Sequence, residues 1–266
     1  MNILFIGDVV GKPGRKVCKY CLEKLNDEYG FDFIIANLEN ASHGKGLLKA
    51  HFLEMLGYGV DVVTLGNHYL AKKEIIDYIN DYDNILRPGN VHHSLPGHGS
   101  EVYLVNGLKI RVTNLIGRVF MSENNSNPFD YLKEVVDSDD SDIHIVDMHA
   151  EATGEKQALA WAFDGKVTAV LGTHTHVQTN DLRQLKNGTL MISDVGMCGP
   201  YNGILGSSRD EVIKRTWTGA PTIFSVQEDD RYIFNAISIT IDDETKRIID
   251  YKIINEIVKE SELKNA

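Results

Sequence analysis

The chain has 266 residues, of which 42% are hydrophobic and 24% charged, so it is long enough to bury a large core. No apolar stretch approaches the ~20 residues of a membrane span, and the short apolar run at the N-terminus has no basic region before it, which predicts a cytoplasmic protein without a signal peptide. The net charge of −11 and the lack of a Lys/Arg cluster argue against stable binding of long nucleic acid.

Short apolar runs alternate with helical patterns along most of the chain. The pattern predicts strands at 2–7, 31–38, 60–66, 143–148 and 167–172, and helices near 13–29, 48–57, 71–80 and 154–163. Continuous Val/Ile/Leu runs separated by helices are typical of buried parallel strands. Residues 100–115 predict a hairpin that turns at Asn106-Gly107, and 221–258 predicts further strands with turns at 228–231 and 242–246. We expect one α/β domain over 1–266.

The cysteine content does not indicate a disulfide framework. Cys18, Cys21 and Cys198 are an odd number of thiols in a chain without a secretory signal. Cys18 and Cys21 form a CxxC spacing, which can mark a redox or zinc site. The segment around them has helical apolar spacing and no second Cys or His pair nearby, which favours two thiols on one helix face.

Polar side chains follow every predicted parallel strand. Because the carboxyl ends of such strands lie along one edge of a sheet, these side chains are expected to share one pocket. Taken alone, an Asp or Asn there can cap a helix, and a single His is more often structural than metal-bound. Agreement at five strand ends favours a metal centre. The residues are Asp8, Glu39, Asn40, Asn67, His68, His149, His174 and His176.

The chemistry of this set points to a catalytic centre. Imidazole, carboxylate and amide oxygen without thiolate suit Mn, Fe, Zn, Co or Ni better than a structural zinc knot. The potential ligands are too many for one tetrahedral ion, so two ions that share a carboxylate fit better. His174 and His176, two positions apart on backbone expected to be extended, could flank one ion or each serve a different ion.

Several sequence motifs resemble those of a known protein family. They are GDVVG, NLENASHGKG, LGNHYLAKKEI, DMHAEATGEK, GTHTHVQTND and SDVGMCGPYNGILG. Together they resemble the bacterial YmdB-like metallophosphoesterases of the calcineurin-like superfamily, along essentially the whole chain. The resemblance implies a four-layer α/β/β/α fold, in which two packed mixed β-sheets are flanked by helices.

The resemblance also implies roles for the individual residues. Asp8, Glu39, Asn40 and His176 would hold one metal, and Glu39, Asn67, His149 and His174 the other, with Glu39 bridging. His68 resembles the superfamily's catalytic histidine that is not a ligand. Two departures stand out: Val10 replaces the usual histidine of D-x-H, and Glu39 replaces a bridging Asp. Fewer imidazoles at the first site make iron or manganese more plausible there.

The implied reaction is hydrolysis of 2′,3′-cyclic nucleotides or related small phosphodiesters by a metal-bridging hydroxide, with His68 as general acid. The alternatives are a phosphomonoesterase or RNA nuclease on the same centre, or a regulatory protein that binds a nucleotide with little turnover. A homo-oligomer is compatible with the sequence.

Neighbouring residues have weaker signals. Asp147, Thr173 and Thr175 border the predicted ligands and could orient imidazole N–H groups, although ordinary strand-end hydrogen bonding explains them equally well. Two Gly-rich segments, His43 with 44–46 and residues 198–206, are expected in loops that line the substrate pocket or form tight turns.

Overall fold

The computed structural model describes residues 1–121 and 125–263. Its strands are β1 (Asn2–Ile6), β2 (Asp8–Val9), β3 (Phe33–Asn37), β4 (Val62–Thr64), β5 (Ile85–Leu86), β6 (Ser100–Val105), β7 (Leu108–Ile116), β8 (Ile143–His149), β9 (Ala169–Thr173), β10 (Arg183–Gln184), β11 (Leu190–Ile192), β12 (Met197–Pro200), β13 (Arg231–Ile241) and β14 (Ile248–Lys259). The helices are α1 (Gly11–Tyr29), α2 (Lys49–Gly57), α3 (Ile75–Tyr78), α4 (Pro128–Asp137), α5 (Thr153–Ala162), α6 (Arg209–Thr218) and α7 (Glu260–Leu263).

The strands of these ranges form two mixed sheets. The first has the order β2-β12-β13-β1-β3-β4-β5, and β14 pairs with β13. The second has the order β10-β11-β9-β8-β7-β6. Strands β1, β3, β4 and β5 run parallel in the first sheet, as do β7, β8, β9 and β11 in the second. The carboxyl ends of both parallel sets supply the functional side chains described below.

The side-chain alternation of the central strands explains the layers. Because successive side chains of a strand point to opposite faces, Ile3 and Phe5 of β1 enter the core between the two sheets. Leu4 and Ile6 pack on the other face with α1 and α2. On the outer face of the second sheet, Val146 of β8 packs in a third cluster with residues of α4 and α5. This is the four-layer α/β/β/α arrangement that the family resemblance implies.

Most predicted elements are present, with several differences. The hairpin turns at Asn106 and Gly107, both with positive φ. The helix expected near 71–80 is shorter than predicted. Helix α3 begins only at Ile75, and after Tyr78 the chain continues as a 3₁₀ turn (Ile79–Asp81). Residues 221–227 contain one isolated β-bridge rather than the expected strand. Helices α4 and α6 do not follow from the sequence pattern.

The predicted helical position of the CxxC thiols is confirmed. Cys18 and Cys21 are free and buried on α1, where both belong to the core between that helix and the first sheet. Burial raises the pKa of Cys18 well above its usual value, so this thiol is unreactive near neutral pH. None of the helices in the described ranges is long and apolar enough to cross a membrane.

Candidate metal centre

The structure brings all eight predicted site residues into one connected cluster between the two sheets. In the first sheet, Asp8 lies in β2, Glu39 and Asn40 follow β3, and Asn67 and His68 follow β4. In the second sheet, His149 ends β8, and His174 and His176 follow β9. The cluster therefore lies at the junction of the sheets, and not along the edge of one sheet as the strand-end argument alone predicts.

One half of the cluster is built around His149 Nε2. Asn67 Oδ1 lies 3.0 Å from this nitrogen, His174 Nδ1 lies 3.1 Å from it and Glu39 Oε2 lies 3.3 Å from it. The ligand-type atoms of Glu39, His149 and His174 all lie within 4.8 Å of one another, a spacing that could hold a metal ion.

The other half of the cluster contains Asp8, Asn40 and His176. Asn40 Nδ2 lies 2.9 Å from Glu39 Oε1 and 3.1 Å from His176 Nε2. His176 Nε2 is also 3.9 Å from Asp8 Oδ1. Glu39 touches both halves, because its Oε1 faces Asn40 and its Oε2 faces His149.

The polar groups of the cluster fit a cation. Asp8 and Glu39 are 0% and 1% exposed, and an unpaired charge at such depth is costly. Among the described residues, Asp8 Oδ1 has no hydrogen-bond partner, while Asp8 Oδ2 accepts the His174 backbone N–H at 3.0 Å. No Lys or Arg of the described chain forms a salt bridge with either carboxylate. Two buried carboxylates among imidazoles and amides form an appropriate donor set for divalent metals.

Hydrogen bonds fix the orientation of His149. Its Nδ1 lies 2.9 Å from the Thr173 hydroxyl, which itself donates to Asp147 Oδ1 at 2.7 Å. Because Thr173 uses its hydrogen on Asp147, the hydrogen of the His149 contact sits on Nδ1. In the neutral imidazole, Nε2 is then free to bind a cation, a pattern common among metal-binding histidines.

His174 and His176 have outer partners of the same kind. His174 Nε2 lies 3.1 Å from Glu151 Oε2, and its Nδ1 faces His149. His176 Nδ1 lies 3.0 Å from the Leu205 carbonyl oxygen, which can only accept, and its Nε2 faces Asn40. In each of these rings one nitrogen is therefore bonded outward, and the other faces the cluster.

The backbone of the histidine pair differs from the extended geometry expected from the sequence. Strand β9 ends at Thr173, and His174 and His176 have positive φ values of 101° and 64°. Such values are uncommon for residues other than glycine and are concentrated at functional sites. The bent backbone sends the two imidazoles to different halves of the cluster.

Burial and neighbouring charges shift the pKa values of several groups in the cluster. Burial raises the pKa of Asp8 to about 6. Burial disfavours a charged His149, but the Glu39 carboxylate outweighs it and raises the pKa of His149 to about 9. Burial and the neighbouring His149 lower the pKa of His174 to about 3. A positive charge is thus favoured between Glu39 and His149, where a bound cation would supply it.

Sequence reasoning missed two residues that support the histidine pair. Asp194 accepts the Thr175 backbone N–H at 2.9 Å and forms a buried ion pair with Lys156 of α5, with Nζ and Oδ2 2.8 Å apart. Of the two alternatives left open for Thr175, ordinary hydrogen bonding fits: among the described residues it makes no hydrogen bond to an imidazole, and its backbone contacts Asp194. Asp194 follows β11, which is parallel to β9, so the strand-end argument would have found it if that three-residue strand had been recognised.

A cavity of about 340 Å³ opens beside the cluster. It is lined by predicted site residues, including His68 and His176, and by both Gly-rich segments, which contribute His43, Lys45 and Leu205 among others. Both Gly-rich segments therefore border a cavity beside the candidate site, which favours the first of the two interpretations that the sequence left open.

Comparison with known proteins identifies the family. The sequence profile of the family described as YmdB-like protein matches residues 4–254. The chain belongs to the YmdB-like family. The predicted family and the predicted fold are both confirmed.

Relatives of this YmdB-like chain are phosphoesterases by description. A 2′,3′-cyclic-nucleotide 2′-phosphodiesterase of Bacillus subtilis (strain 168) is 45% identical over 251 residues, which cover 94% of each chain. A crystal structure described as a novel phosphatase of Mycoplasma pneumoniae has a TM-score of 0.93 and 37% identity, and the match covers 100% of this chain and 96% of that chain. A 5′-nucleotidase precursor of Thermus thermophilus shares the fold, with a TM-score of 0.55 and 13% identity over 100% of this chain and 57% of that chain.

Proposed function

We propose that this YmdB-like chain is a metal-dependent phosphodiesterase that hydrolyses 2′,3′-cyclic nucleotides or related small phosphodiesters. The observation that carries the proposal is the convergence of Asp8 and Glu39, both buried, with three imidazoles whose outer nitrogens are already bonded. The Bacillus subtilis relative, described as a 2′,3′-cyclic-nucleotide 2′-phosphodiesterase, supports the substrate class.

The geometry supports a division of the ligands between two cations. Asn67, His149 and His174 would hold one ion, and Asp8, Asn40 and His176 the other, with one Glu39 oxygen facing each group. We propose iron or manganese as the ions, because the ligand set offers carboxylate and amide oxygen beside imidazole. Zn, Co and Ni accept the same kinds of ligand and are the alternatives. When bound, two cations supply a nucleophilic hydroxide near neutral pH and neutralise charge on the phosphate.

Asn40 would contribute its amide oxygen. In the structure Asn40 Nδ2 faces Glu39 and His176, and Oδ1 lies 3.0 Å from His68 Nδ1. A half-turn of the amide exchanges the two ends. It presents the oxygen to the cation. The Nδ1 hydrogen of a protonated His68 then has Glu39 Oε1, 3.3 Å away, as its acceptor.

His68 is proposed as the general acid. Its side chain is 28% exposed and lines the cavity, whereas Glu39 beside it is almost fully buried. The His68 backbone N–H donates to Glu39 Oε2 at 3.0 Å, which holds the residue against the cluster. A protonated His68 would donate its Nε2 hydrogen to the ribose oxygen as the bond from that oxygen to phosphorus breaks. This leaves a neutral imidazole, and the cyclic diester would open to a monoester.

The test combines metal analysis with a substrate series. Protein purified without added metal is analysed for bound ions, loaded with manganese and assayed on 2′,3′-cyclic AMP, 3′,5′-cyclic AMP, bis-p-nitrophenyl phosphate and p-nitrophenyl phosphate. We expect hydrolysis of the 2′,3′-cyclic nucleotide and of the diester. Preference for p-nitrophenyl phosphate would indicate a phosphomonoesterase. A KM for RNA that rises steeply with salt concentration would indicate a nuclease. Tight binding without product would indicate a regulatory protein.

A further inference from the structure

The cavity beside the cluster is lined by both polar and apolar side chains. The polar lining contains residues of the candidate centre, among them Glu39, His68 and His174. The apolar lining, which we call the apolar wall, consists of Val10, Ile204, Leu205, Val212, Phe224 and Val226. A substrate whose phosphate reaches the centre therefore has an apolar surface within the same cavity for another part of itself.

The apolar wall is assembled from segments that are joined by backbone hydrogen bonds. Ser208 N–H donates to the Ser225 carbonyl at 2.9 Å, and Gln227 N–H donates to the Gly206 carbonyl at 2.9 Å. The Glu211 carboxylate of α6 accepts the Ser225 backbone N–H at 2.7 Å. These bonds form the wall before any ligand binds, which lowers the entropy that binding would cost.

The apolar wall is also held at a fixed position relative to the candidate centre. The Leu205 carbonyl accepts from His176 Nδ1 at 3.0 Å, so the loop that carries the wall orients a candidate ligand. Gly206 packs directly on Val10, since a Cβ at this glycine would lie 2.7 Å from Val10 Cγ1. The position of the wall relative to the candidate centre is thus fixed in part by the Leu205 carbonyl that bonds His176.

The exposure of the wall is unusual for its composition. Leu205 is 50% exposed and Phe224 is 38% exposed, although both line a cavity. Leu205 has a φ of 52°, a left-handed conformation that is costly for a leucine. The Arg215 guanidinium lies over the Phe224 ring, 5.3 Å from its centroid, and supports it. A strained backbone that keeps an apolar side chain exposed to solvent beside the candidate centre indicates a surface that contacts a ligand.

We propose that the apolar wall is the nucleobase subsite of this enzyme, with Leu205 and Phe224 contacting the face of the base. The inference rests on the proposed phosphodiesterase function and deepens it. Every nucleobase has an apolar π-face, and apolar or aromatic side chains bind it without strict dependence on base identity. The wall therefore accepts all four bases, and purines, which have the larger face, bind better than pyrimidines.

The test removes the wall and varies the substrate. Leu205→Ala keeps the carbonyl that binds His176, and Phe224→Ala leaves α6 in place. Ile223→Ala is the matched control, because Ile223 is 92% exposed and lies next to Phe224 without being among the cavity-lining residues. Each variant is assayed with 2′,3′-cyclic AMP and with methyl riboside 2,3-cyclic phosphate, which has no base, and its metal content is measured.

We expect Leu205→Ala and Phe224→Ala to lower kcat/KM for 2′,3′-cyclic AMP by about 5- to 100-fold, mainly through KM. Hydrolysis of the base-free substrate should change by less than about twofold, and Ile223→Ala should resemble the wild type on both. Equal losses on both substrates, or no loss on either, would overturn the proposal.

A failure of the proposed function gives a different result. If the wild type hydrolyses neither substrate, equilibrium binding of 2′,3′-cyclic AMP to the manganese-loaded wild type and the two wall variants is measured by calorimetry. Weaker binding by the variants supports the subsite without catalysis. Equal binding, or no binding by the wild type, rejects it.

Discussion

The Thr173 hydroxyl accepts the Nδ1 hydrogen of His149 at 2.9 Å and so determines which nitrogen of that ring faces the candidate centre. Thr173 can do this because its own hydrogen is donated to Asp147. Thr173, at the end of β9, thereby leaves Nε2 of His149 on the neighbouring strand β8 as the nitrogen that can bind a cation.

Thr173→Val retains the shape of the side chain and removes the acceptor. We expect manganese affinity to fall by about 10- to 100-fold, the usual effect of losing an outer partner of a metal-binding histidine. Calorimetric titration of metal-free protein measures it. Thr64→Val is the control, because Thr64 also donates to Asp147, at 2.5 Å, but bonds no site histidine. Equal affinities in the two variants would reject the orienting role.

His68→Ala tests the general acid. We expect kcat for 2′,3′-cyclic AMP to fall by about 10²- to 10⁴-fold, with metal content close to that of the wild type. His98→Ala, which removes an exposed imidazole outside the cavity, should leave kcat unchanged. Loss of both ions from His68→Ala would instead make His68 a ligand.

Glu39→Ala tests the shared carboxylate. Its two oxygens face the two halves of the cluster, so we expect the variant to lose both ions together in metal analysis. Asn67→Ala removes a side chain from one half only and should lose one ion. Loss of a single ion from Glu39→Ala would disprove bridging.

Lys156→Met tests the buried ion pair behind the histidine pair. Lys156 and Asp194 are 2% and 1% exposed, and the variant leaves the carboxylate without its cation. Breaking such a pair costs about 3–5 kcal/mol in free energy of unfolding, which urea denaturation measures. Lys166→Met, at an exposed lysine just after α5, should change stability by less than about 0.5 kcal/mol. A loss below about 1 kcal/mol in Lys156→Met would contradict the expectation.

Asp139 makes an acid-sensitive contribution to stability. Partial burial opposes ionisation of this carboxyl, but His144 and Arg111, at 2.9 and 2.7 Å, hold the pKa of Asp139 well below its usual value. Its stabilising effect is therefore fully present above the unfolded-state pKa, near 3.9, and is lost as pH falls through the lower folded-state pKa.

We expect Asp139→Asn to be less stable than the wild type at pH 7, by an amount that is constant down to about pH 5 and shrinks below about pH 4. Urea denaturation across this range gives the difference. Asp137→Asn, at an exposed carboxylate that ends α4, is the control. A difference that grows on acidification would have the wrong sign for this mechanism.

The sequence predicts the elements that carry apolar patterns or strong turn residues. The strand-end rule locates Asp8, Glu39, Asn67 and His149, because polar residues that directly follow buried runs are visible in the sequence. The hairpin at 106–107 is equally clear, since Asn-Gly suits the positive φ of that turn.

Other features leave no such pattern. Helix α6 is not recognisable because all ten of its residues are exposed or half-buried, so it has no apolar period. The positive φ of His174 and His176 accompanies tertiary contacts that the local sequence does not reveal, such as the hydrogen bond that the His174 backbone N–H donates to Asp8 Oδ2. The apolar wall joins residues 204–207 to 224–226 through pairing that neither segment encodes alone.

The position of the cluster between two sheets would couple the binding of a cation to the docking of the sheets. Asp8 lies in β2 and Glu39 follows β3 of the first sheet, whereas His149 ends β8 and His174 follows β9 of the second sheet. Any substitution that loosens the Ile- and Val-rich core between the sheets then weakens cation affinity without touching a ligand. Conversely, a bound ion would protect that core from local opening.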